Sequence, residues 1–141
     1  MGDADVELSL RGLEAFNHAV ATGDVEPYLE FLDPDISYAP ATAAIEGVTY
    51  EGRDAVREYL AGISETWNGL ECEPVEFRKM GRCLVMLGRW RASGGASGVA
   101  VDSPLLVVHE IRDGKIAWLR GFTDEDEAMA AARAHTHAAS A

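Results

Sequence analysis

Residues that could move a proton lie close together in the last third of the sequence. His109 and Glu110 are adjacent, and Asp124 follows the segment LRGFT. An imidazole or a carboxylate in an apolar setting can act as an acid or a base near neutral pH. Asp124 also has a structural interpretation, because Glu127 follows three residues later in the spacing of a helix capping box. Capping is the favoured role for Asp124.

Three further polar residues could orient a substrate. Asn17 interrupts an apolar helical stripe, and a buried amide needs a ligand or a backbone group as partner. Arg89 and Arg91 flank Trp90, so both would point inward if Trp90 faces outward. An inward guanidinium could bind an anion, although pairing with acids at the surface is the commoner role.

Composition excludes several functional classes. The chain has 141 residues and a formal net charge of -12, which disfavours nucleic acid and anionic lipid as partners. Cys72 and Cys83 show no spacing typical of a zinc site or a disulfide framework. We expect no metal and no cofactor. The N-terminal segment has no secretory pattern, which favours a cytoplasmic location.

Apolar spacing predicts three helices in the first half of the chain. The first runs from about Asp5 to Thr22, and a short second helix follows Gly23-Asp24. A break is expected at Asp33-Pro34. The third helix ends at Asn68-Gly69 and carries the stripe Val56, Tyr59, Leu60, Ile63 and Trp67.

The second half of the chain has the pattern of strands. A short strand is expected at Ile36–Ala39, and the later strands are expected at Glu71–Met80, Cys83–Ala92, Val99–Arg112 and Lys115–Thr123. A short C-terminal helix follows. The order indicates an α+β protein with a single domain over residues 1–141, a core at about 5–132 and an Ala-rich tail at 133–141.

The turn Asp113-Gly114 sets the expected register of the last hairpin. A two-residue turn pairs Arg112 with Lys115, and an uninterrupted ladder then pairs His109 with Trp118. Both sides of this hairpin are largely apolar, although a sheet with one solvated face should alternate. The helices of so short a chain can cover only one face, so the other is a candidate homodimer surface.

The chain resembles the nuclear transport factor 2-like superfamily and, within it, the SnoaL-like proteins. The matching stretches are FNHAVATGDVEPYLEFLDPDISY, EGRDAVREYL, SGVAVDSPLLVVHEIRDGKIAWLRGFTD and EAMAA. The resemblance implies a cone-shaped, curved antiparallel sheet with three N-terminal helices on its concave face and a short C-terminal helix. It also implies a hydrophobic ligand-binding pocket and, often, a homodimer through the convex face.

The same resemblance implies where side chains point. Counting back from the hairpin maps Leu106, Val108 and Glu110 to the cavity side, with Leu119 and Thr123 across from them. Phe16, Tyr59 and Trp67 are expected to line the wall. The residues expected on the outer, dimer-forming face are Trp90, His109, Trp118 and Phe122.

The chemistry of ketosteroid isomerases is not expected. Where those enzymes carry a tyrosine, a carboxylate base and a second acid, this chain has Phe16, Ala39 and Leu106. We therefore expect a SnoaL-like protein that binds a small hydrophobic molecule in an apolar cavity. If it is an isomerase, cyclase or hydrolase, Glu110 is the expected acid–base residue, with Asn17 and Arg89 orienting the substrate. The alternative is a non-catalytic ligand-binding or protein-interaction module.

Overall fold

Three helices lie in the first half of the chain, as the apolar spacing predicts. In the computed structural model they are α1 (Gly2–Thr22), α2 (Glu26–Leu29) and α3 (Arg53–Thr66). The structure describes residues 2–41, 47–94 and 99–140, and it describes side chains outside residues 2–3, 64–68, 93–94, 99 and 139–140. Pro27 lies in the first turn of α2, where a missing N–H is tolerated. No helix in these ranges has the length and apolar content needed to cross a bilayer.

A curved six-stranded sheet makes up the other layer. Its strands are β1 (Leu32–Ala39), β2 (Tyr50–Glu51), β3 (Trp67–Met80), β4 (Cys83–Gly94), β5 (Val99–Arg112) and β6 (Lys115–Phe122). Their order is β2-β1-β6-β5-β4-β3, with β1 parallel to β6 and the other neighbours antiparallel. The break predicted at Asp33-Pro34 is wrong, because both residues lie within β1, where its register against β6 shifts.

The concave face of the sheet packs against α1, α2 and α3, which confirms the predicted α+β layout. One apolar cluster joins Ala19 of α1 and Leu29 of α2 with Leu60 of α3. The same cluster includes Ile36 of β1 and Leu119 of β6. The helices therefore close over the sheet from one side and leave its other face to be covered elsewhere.

The fourth helix covers the convex face. This helix, α4 (Glu125–Ser140), is longer than predicted and continues through most of the Ala-rich segment at 133–141. Ala128 and Ala132 are fully buried against Val85 and Val108 of the sheet. Helix α4 therefore accounts for the second apolar side of the last hairpin without a second subunit. Methyl side chains let a helix approach a sheet closely, which favours this packing.

Asp124 caps α4, as predicted. Its Oδ2 accepts a hydrogen bond of 2.9 Å from the backbone N–H of Glu127. The acidic residues Glu125, Asp126 and Glu127 occupy the first turn, where negative charge complements the helix dipole. The cap thus fixes where the chain leaves β6 and starts back across the convex face.

The register predicted for the last hairpin is wrong beyond its second pair. Arg112 pairs with Lys115 and Ile111 with Ile116, as an uninterrupted ladder requires, but an irregularity follows and Glu110 pairs with Trp118. Ala117 is the extra residue in β6. Because side chains alternate with a period of two, one extra residue reverses which β6 residues share a face with β5. His109 consequently pairs with Leu119 rather than with Trp118.

A second irregularity curves the other edge of the sheet. Pro74 pairs with Gly88 and Glu76 with Leu87, which leaves Val75 as an extra residue that is 71% exposed. At Gly88 the neighbouring strand comes so close that an added Cβ would lie 2.1 Å from the carbonyl oxygen of Glu73. Glycine is therefore required at position 88 for β3 to bend onto β4.

We predict that Gly88→Ala destabilises the protein by about 1–3 kcal/mol, because the backbone must move away from the added methyl group. Gly62→Ala is the matched control. Gly62 is an exposed residue of α3 with open space around it, and alanine there should stabilise by roughly 0.5–1 kcal/mol. Urea unfolding of both variants measures the two shifts. Shifts of the same sign would contradict this account of the sheet's curvature.

Candidate functional site

A cavity of about 230 Å³ lies between the concave face of the sheet and the three N-terminal helices. The sheet contributes Tyr38, Cys72, Met86, Trp90, Ser103, Leu105, Val107, His109, Ile116, Leu119 and Gly121, with Thr123 just after it. The helices and the segment after β1 contribute Ser9, Gly12, Leu13, Phe16, Tyr28, Tyr59, Pro40 and Ala41, and Leu70 completes the lining. The wall is thus mostly aliphatic and aromatic.

No charged side chain is found among the described residues that line the cavity. The side chains of these residues therefore offer hydroxyl groups, one thiol, one imidazole and the indole N–H of Trp90 as polar chemistry. Burial raises the pKa of the Cys72 thiol to about 12, so this group stays protonated and is a poor nucleophile at neutral pH. An ionised ligand would enter this space without a counter-charge and would lose its hydration.

One polar point in the cavity is a buried pair of side chains, Ser9 of α1 and His109 of β5. Their Oγ and Nε2 atoms lie 3.0 Å apart, and the residues are 9% and 2% exposed. His109 Nδ1 lies 3.3 Å from the carbonyl oxygen of Val107. A carbonyl can only accept, so Nδ1 carries the proton and donates it to this oxygen. Nε2 is then the acceptor, and the Ser9 hydroxyl donates to it.

The imidazole of His109 is neutral at physiological pH. Burial lowers the pKa of His109 from the usual 6.5 to about 4, because the imidazolium would lose its hydration, and the hydrogen bond to Val107 opposes this shift only in part. A neutral imidazole whose Nε2 carries no proton can accept one, here through the hydrogen bond from Ser9. It is the only group among the described cavity-lining residues with this combination of properties.

The second polar point is a pair of tyrosines, Tyr28 of α2 and Tyr38 of β1. Their hydroxyl oxygens lie 3.1 Å apart, and both residues are at least 96% buried, since they are 4% and 3% exposed. Burial raises the pKa of both phenols well above the usual value, so both keep their protons. The ring of Tyr59 packs against that of Tyr38 at 5.9 Å. This end of the cavity is therefore aromatic, neutral and able to donate.

Four of the residues predicted to bind substrate do line the cavity. They are Phe16, Tyr59, Leu119 and Thr123. Leu106 and Val108 do not, because they lie on the opposite face and pack with α4. The predicted facing of these two residues is wrong for the reason given above, the extra residue in β6. The side chain of Trp67 lies outside the described residues.

Glu110 also lies on the face opposite the cavity, so its predicted facing is wrong. It is 5% exposed and its Oε1 lies 2.8 Å from Nε2 of His135 on α4. Arg112 and Arg82 approach its other oxygen at 3.5 and 3.7 Å. The carboxylate therefore joins α4 to the sheet and has no path to the cavity.

The two residues expected to orient a substrate are held by other partners. Asn17 donates to the carbonyl of Cys72 at 3.0 Å and accepts from the N–H of the same residue at 2.9 Å. Arg89 lies on the convex face and pairs with Asp102 at 2.8 Å. The amide of Asn17 thus ties α1 to β3, which is the structural role weighed for it from the sequence.

Of the four residues predicted on the outer, dimer-forming face, two do face outward. Trp118 and Phe122 do point away from the cavity, where they pack on the side covered by α4. The indole of Trp118 stacks on His135 with ring centroids 3.8 Å apart. Trp90 and His109, in contrast, line the cavity, and the prediction for these two residues is wrong.

The sequence does not reveal the residues that now stand out. Ser9 is separated from His109 by 100 positions, and nothing in the local pattern of α1 marks it as more than a small helical residue. Tyr28 lies in the short second helix and Tyr38 in the short strand, and neither position signals that their hydroxyl groups meet. Leu106, at the position of the isomerases' second acid, faces away from the cavity, and its neighbours on the cavity side, Leu105 and Val107, are apolar as well.

We predict that His109 makes stability fall as pH is lowered. Its pKa is lower in the folded than in the unfolded chain, so its contribution is complete above about 6.5 and is lost as pH falls towards 4. The loss should reach about 3 kcal/mol relative to His109→Gln. Urea unfolding between pH 4 and 7 measures it. His18→Gln, at a side chain that is 53% exposed, is the control and should keep the wild-type slope. Coincident profiles for wild type and His109→Gln would contradict the assignment.

Comparisons with known structures support the fold. An NTF2-like protein of unknown function from Burkholderia pseudomallei K96243 is 21% identical, with 86% of this chain and 92% of that chain covered and a TM-score of 0.72. A candidate SnoaL-like polyketide cyclase from Jannaschia sp. CCS1 is 22% identical, with 92% and 91% covered and a TM-score of 0.70. TerC, co-crystallised with polyporic acid, is 20% identical, with 89% and 98% covered and a TM-score of 0.66.

The family follows from the sequence match. A search of curated proteins finds no match. The family model of the SnoaL-like domain matches residues 13–119, from the middle of α1 to the middle of β6, which include most of the cavity lining. The chain therefore belongs to the SnoaL-like domain family, within the NTF2-like fold.

Proposed function

We propose that this protein binds a small, uncharged and largely apolar molecule in the cavity. The observation that carries the proposal is a lining of aliphatic and aromatic side chains around about 230 Å³, with no charged group among the described lining residues. Apolar ligand surface removed from water stabilises a complex by roughly 25 cal/mol per Å² before the costs of association. A ring-sized molecule would bury most of its surface in such a cavity.

The family resemblance supports a ligand of this kind. One similar structure is a candidate polyketide cyclase, and another holds polyporic acid. At identities near 20% these structural similarities show the fold. That this chain binds a ligand of the same kind is part of our proposal. The lining of the cavity is the independent support.

Binding rather than acid–base catalysis by Glu110 is the function we propose. Glu110 and Arg89 lie on the convex face, and Asn17 is bonded to the backbone of Cys72. Among the described residues that line the cavity, the base for a proton transfer would be His109, whose pKa of about 4 makes it a weak one. The alternative predicted from the sequence, a ligand-binding module without catalysis, is thus better supported than the enzyme.

We expect 2-naphthol to bind at least about tenfold more tightly than naphthalene-2-sulfonate. The two share one ring system, but the sulfonate must lose its hydration in a cavity whose described lining residues supply no cation. Isothermal titration calorimetry at pH 7 measures both constants. Equal affinities, or tighter binding of the sulfonate, would reject an uncharged-ligand site.

Two variants test whether the ligand binds in the cavity. Val107→Phe adds a ring to the lining and should abolish 2-naphthol binding, because the new side chain occupies the ligand's volume. Leu87→Phe is the matched control on the convex face, next to α4, and should bind as the wild type does. Binding that survives Val107→Phe unchanged would show that the ligand lies elsewhere.

We also propose a homodimer that uses the part of the convex face left open by α4. Leu87 and Phe122 are partly exposed there, and the family resemblance supports association through this face. Sedimentation at micromolar concentration should give twice the 15.2 kDa of one chain. Leu87→Glu should give a monomer, whereas Val75→Glu, at an exposed residue of β3, should not. A monomeric wild type would reject the dimer. The cytoplasmic location stays a prediction from the sequence.

A further inference from the structure

We infer that the cavity selects a molecule with a hydrogen-bond-accepting oxygen, such as a ketone, at one end and a hydrogen-bond donor, such as a hydroxyl, at the other. The inference deepens the proposed binding function and rests on it. It follows from the positions and proton assignments of the two polar pairs, Tyr28–Tyr38 and Ser9–His109.

The two pairs lie at the same level of the sheet and on the same face. Leu119 of β6 pairs with His109 of β5 on one side and with Tyr38 of β1 on the other. Partners in register point to the same face, and all three line the cavity. Neighbouring strands are about 4.8 Å apart, so the backbones of His109 and Tyr38 are about 10 Å from each other. The apolar side chain of Leu119 lies between them.

The Tyr28–Tyr38 end of the cavity can donate a hydrogen bond to a ligand. In the pair of hydroxyls 3.1 Å apart, one proton lies between the two oxygens and the other has no acceptor among the described residues. Both phenols stay protonated because they are buried. The second proton is therefore available to an oxygen of the ligand, and a buried donor without an acceptor is costly enough to favour ligands that supply one.

The Ser9–His109 end of the cavity can accept a hydrogen bond from a ligand. The Ser9 hydroxyl gives its proton to Nε2 of His109, since Nδ1 already donates to Val107. The lone pairs of Ser9 Oγ are then the available polar feature, and they can take a proton from a ligand hydroxyl or N–H. A ligand bound between the pairs has a fixed direction. If its two ends were exchanged, its hydroxyl would face the tyrosine donor and its ketone would face the serine acceptor.

Four ring compounds of similar size test the inference by calorimetry on the whole chain at pH 7. Tetralin has neither polar group, 1-tetralone has the ketone, 5,6,7,8-tetrahydro-2-naphthol has the hydroxyl, and 6-hydroxy-1-tetralone has both. Each matched group should tighten binding by about threefold to tenfold. The hydroxy ketone should therefore bind at least about tenfold more tightly than tetralin.

Two double variants assign each gain to its pair. Tyr28→Phe with Tyr38→Phe should remove the gain from the ketone and keep the gain from the hydroxyl. Ser9→Ala with His109→Leu should do the reverse. Each variant removes both partners of a bond, so neither leaves an unpaired side chain and both should fold. Each gain is measured relative to tetralin in the same variant, and a circular dichroism spectrum that matches the wild type confirms that the variant is folded.

The outcomes separate this inference from the proposed function. If tetralin binds but neither polar group improves affinity in the wild type, or the gains do not follow the variants as stated, the polarity of the site is rejected and apolar binding stands. If the wild type binds none of the four compounds, the proposed function fails and this inference fails with it. The wild-type comparison alone decides the first point if a variant does not fold.

Discussion

One extra residue in β6 determines which chemistry faces the cavity. Ala117 lies between Ile116, which pairs with Ile111, and Trp118, which pairs with Glu110. A strand presents alternate residues to alternate faces, so this single insertion exchanges the faces of β6 relative to β5. With it, the cavity receives a neutral imidazole and the convex face receives a carboxylate. With Leu119 facing inward, an uninterrupted ladder would instead turn Glu110 towards the cavity and His109 away from it.

The two faces of the sheet are covered by different helices, and these helices pack at different distances from it. On the concave side, α1 to α3 stand far enough from the sheet to leave about 230 Å³ lined by aromatic and aliphatic groups. On the convex side, α4 packs through Ala128 and Ala132 and leaves little space. The buried Glu110 is tolerated there because His135, Arg82 and Arg112 surround it.

Local signals in the sequence predicted local structure well. The helices and the strand β5 have spacing that is decided by neighbouring residues, and the cap at Asp124 depends on a contact over three positions. The turn Asp113-Gly114 likewise predicted the two pairs next to it, Arg112 with Lys115 and Ile111 with Ile116. The hairpin register beyond those pairs was wrong, because no residue type near Ala117 signals an insertion and both possible faces are apolar.

The polar chemistry of the site could not be predicted for a related reason. Ser9 and His109 meet only because α1 crosses the sheet at the level where β5 turns His109 inward. Tyr28 and Tyr38 meet through the packing of α2 on β1. These contacts depend on the tertiary arrangement, whereas the prediction for Glu110 depended on counting along one hairpin. An error of one residue in that count was enough to move the expected catalytic group out of the cavity.

The register of this hairpin can be measured directly in solution. Nuclear Overhauser effects between backbone protons of β5 and β6 report which residues lie opposite each other. This account predicts cross-strand contacts that join His109 with Leu119 and Glu110 with Trp118. Contacts that join His109 with Trp118 would contradict it, because an uninterrupted ladder would put these two residues on one face and would not place His109 in the cavity beside Leu119.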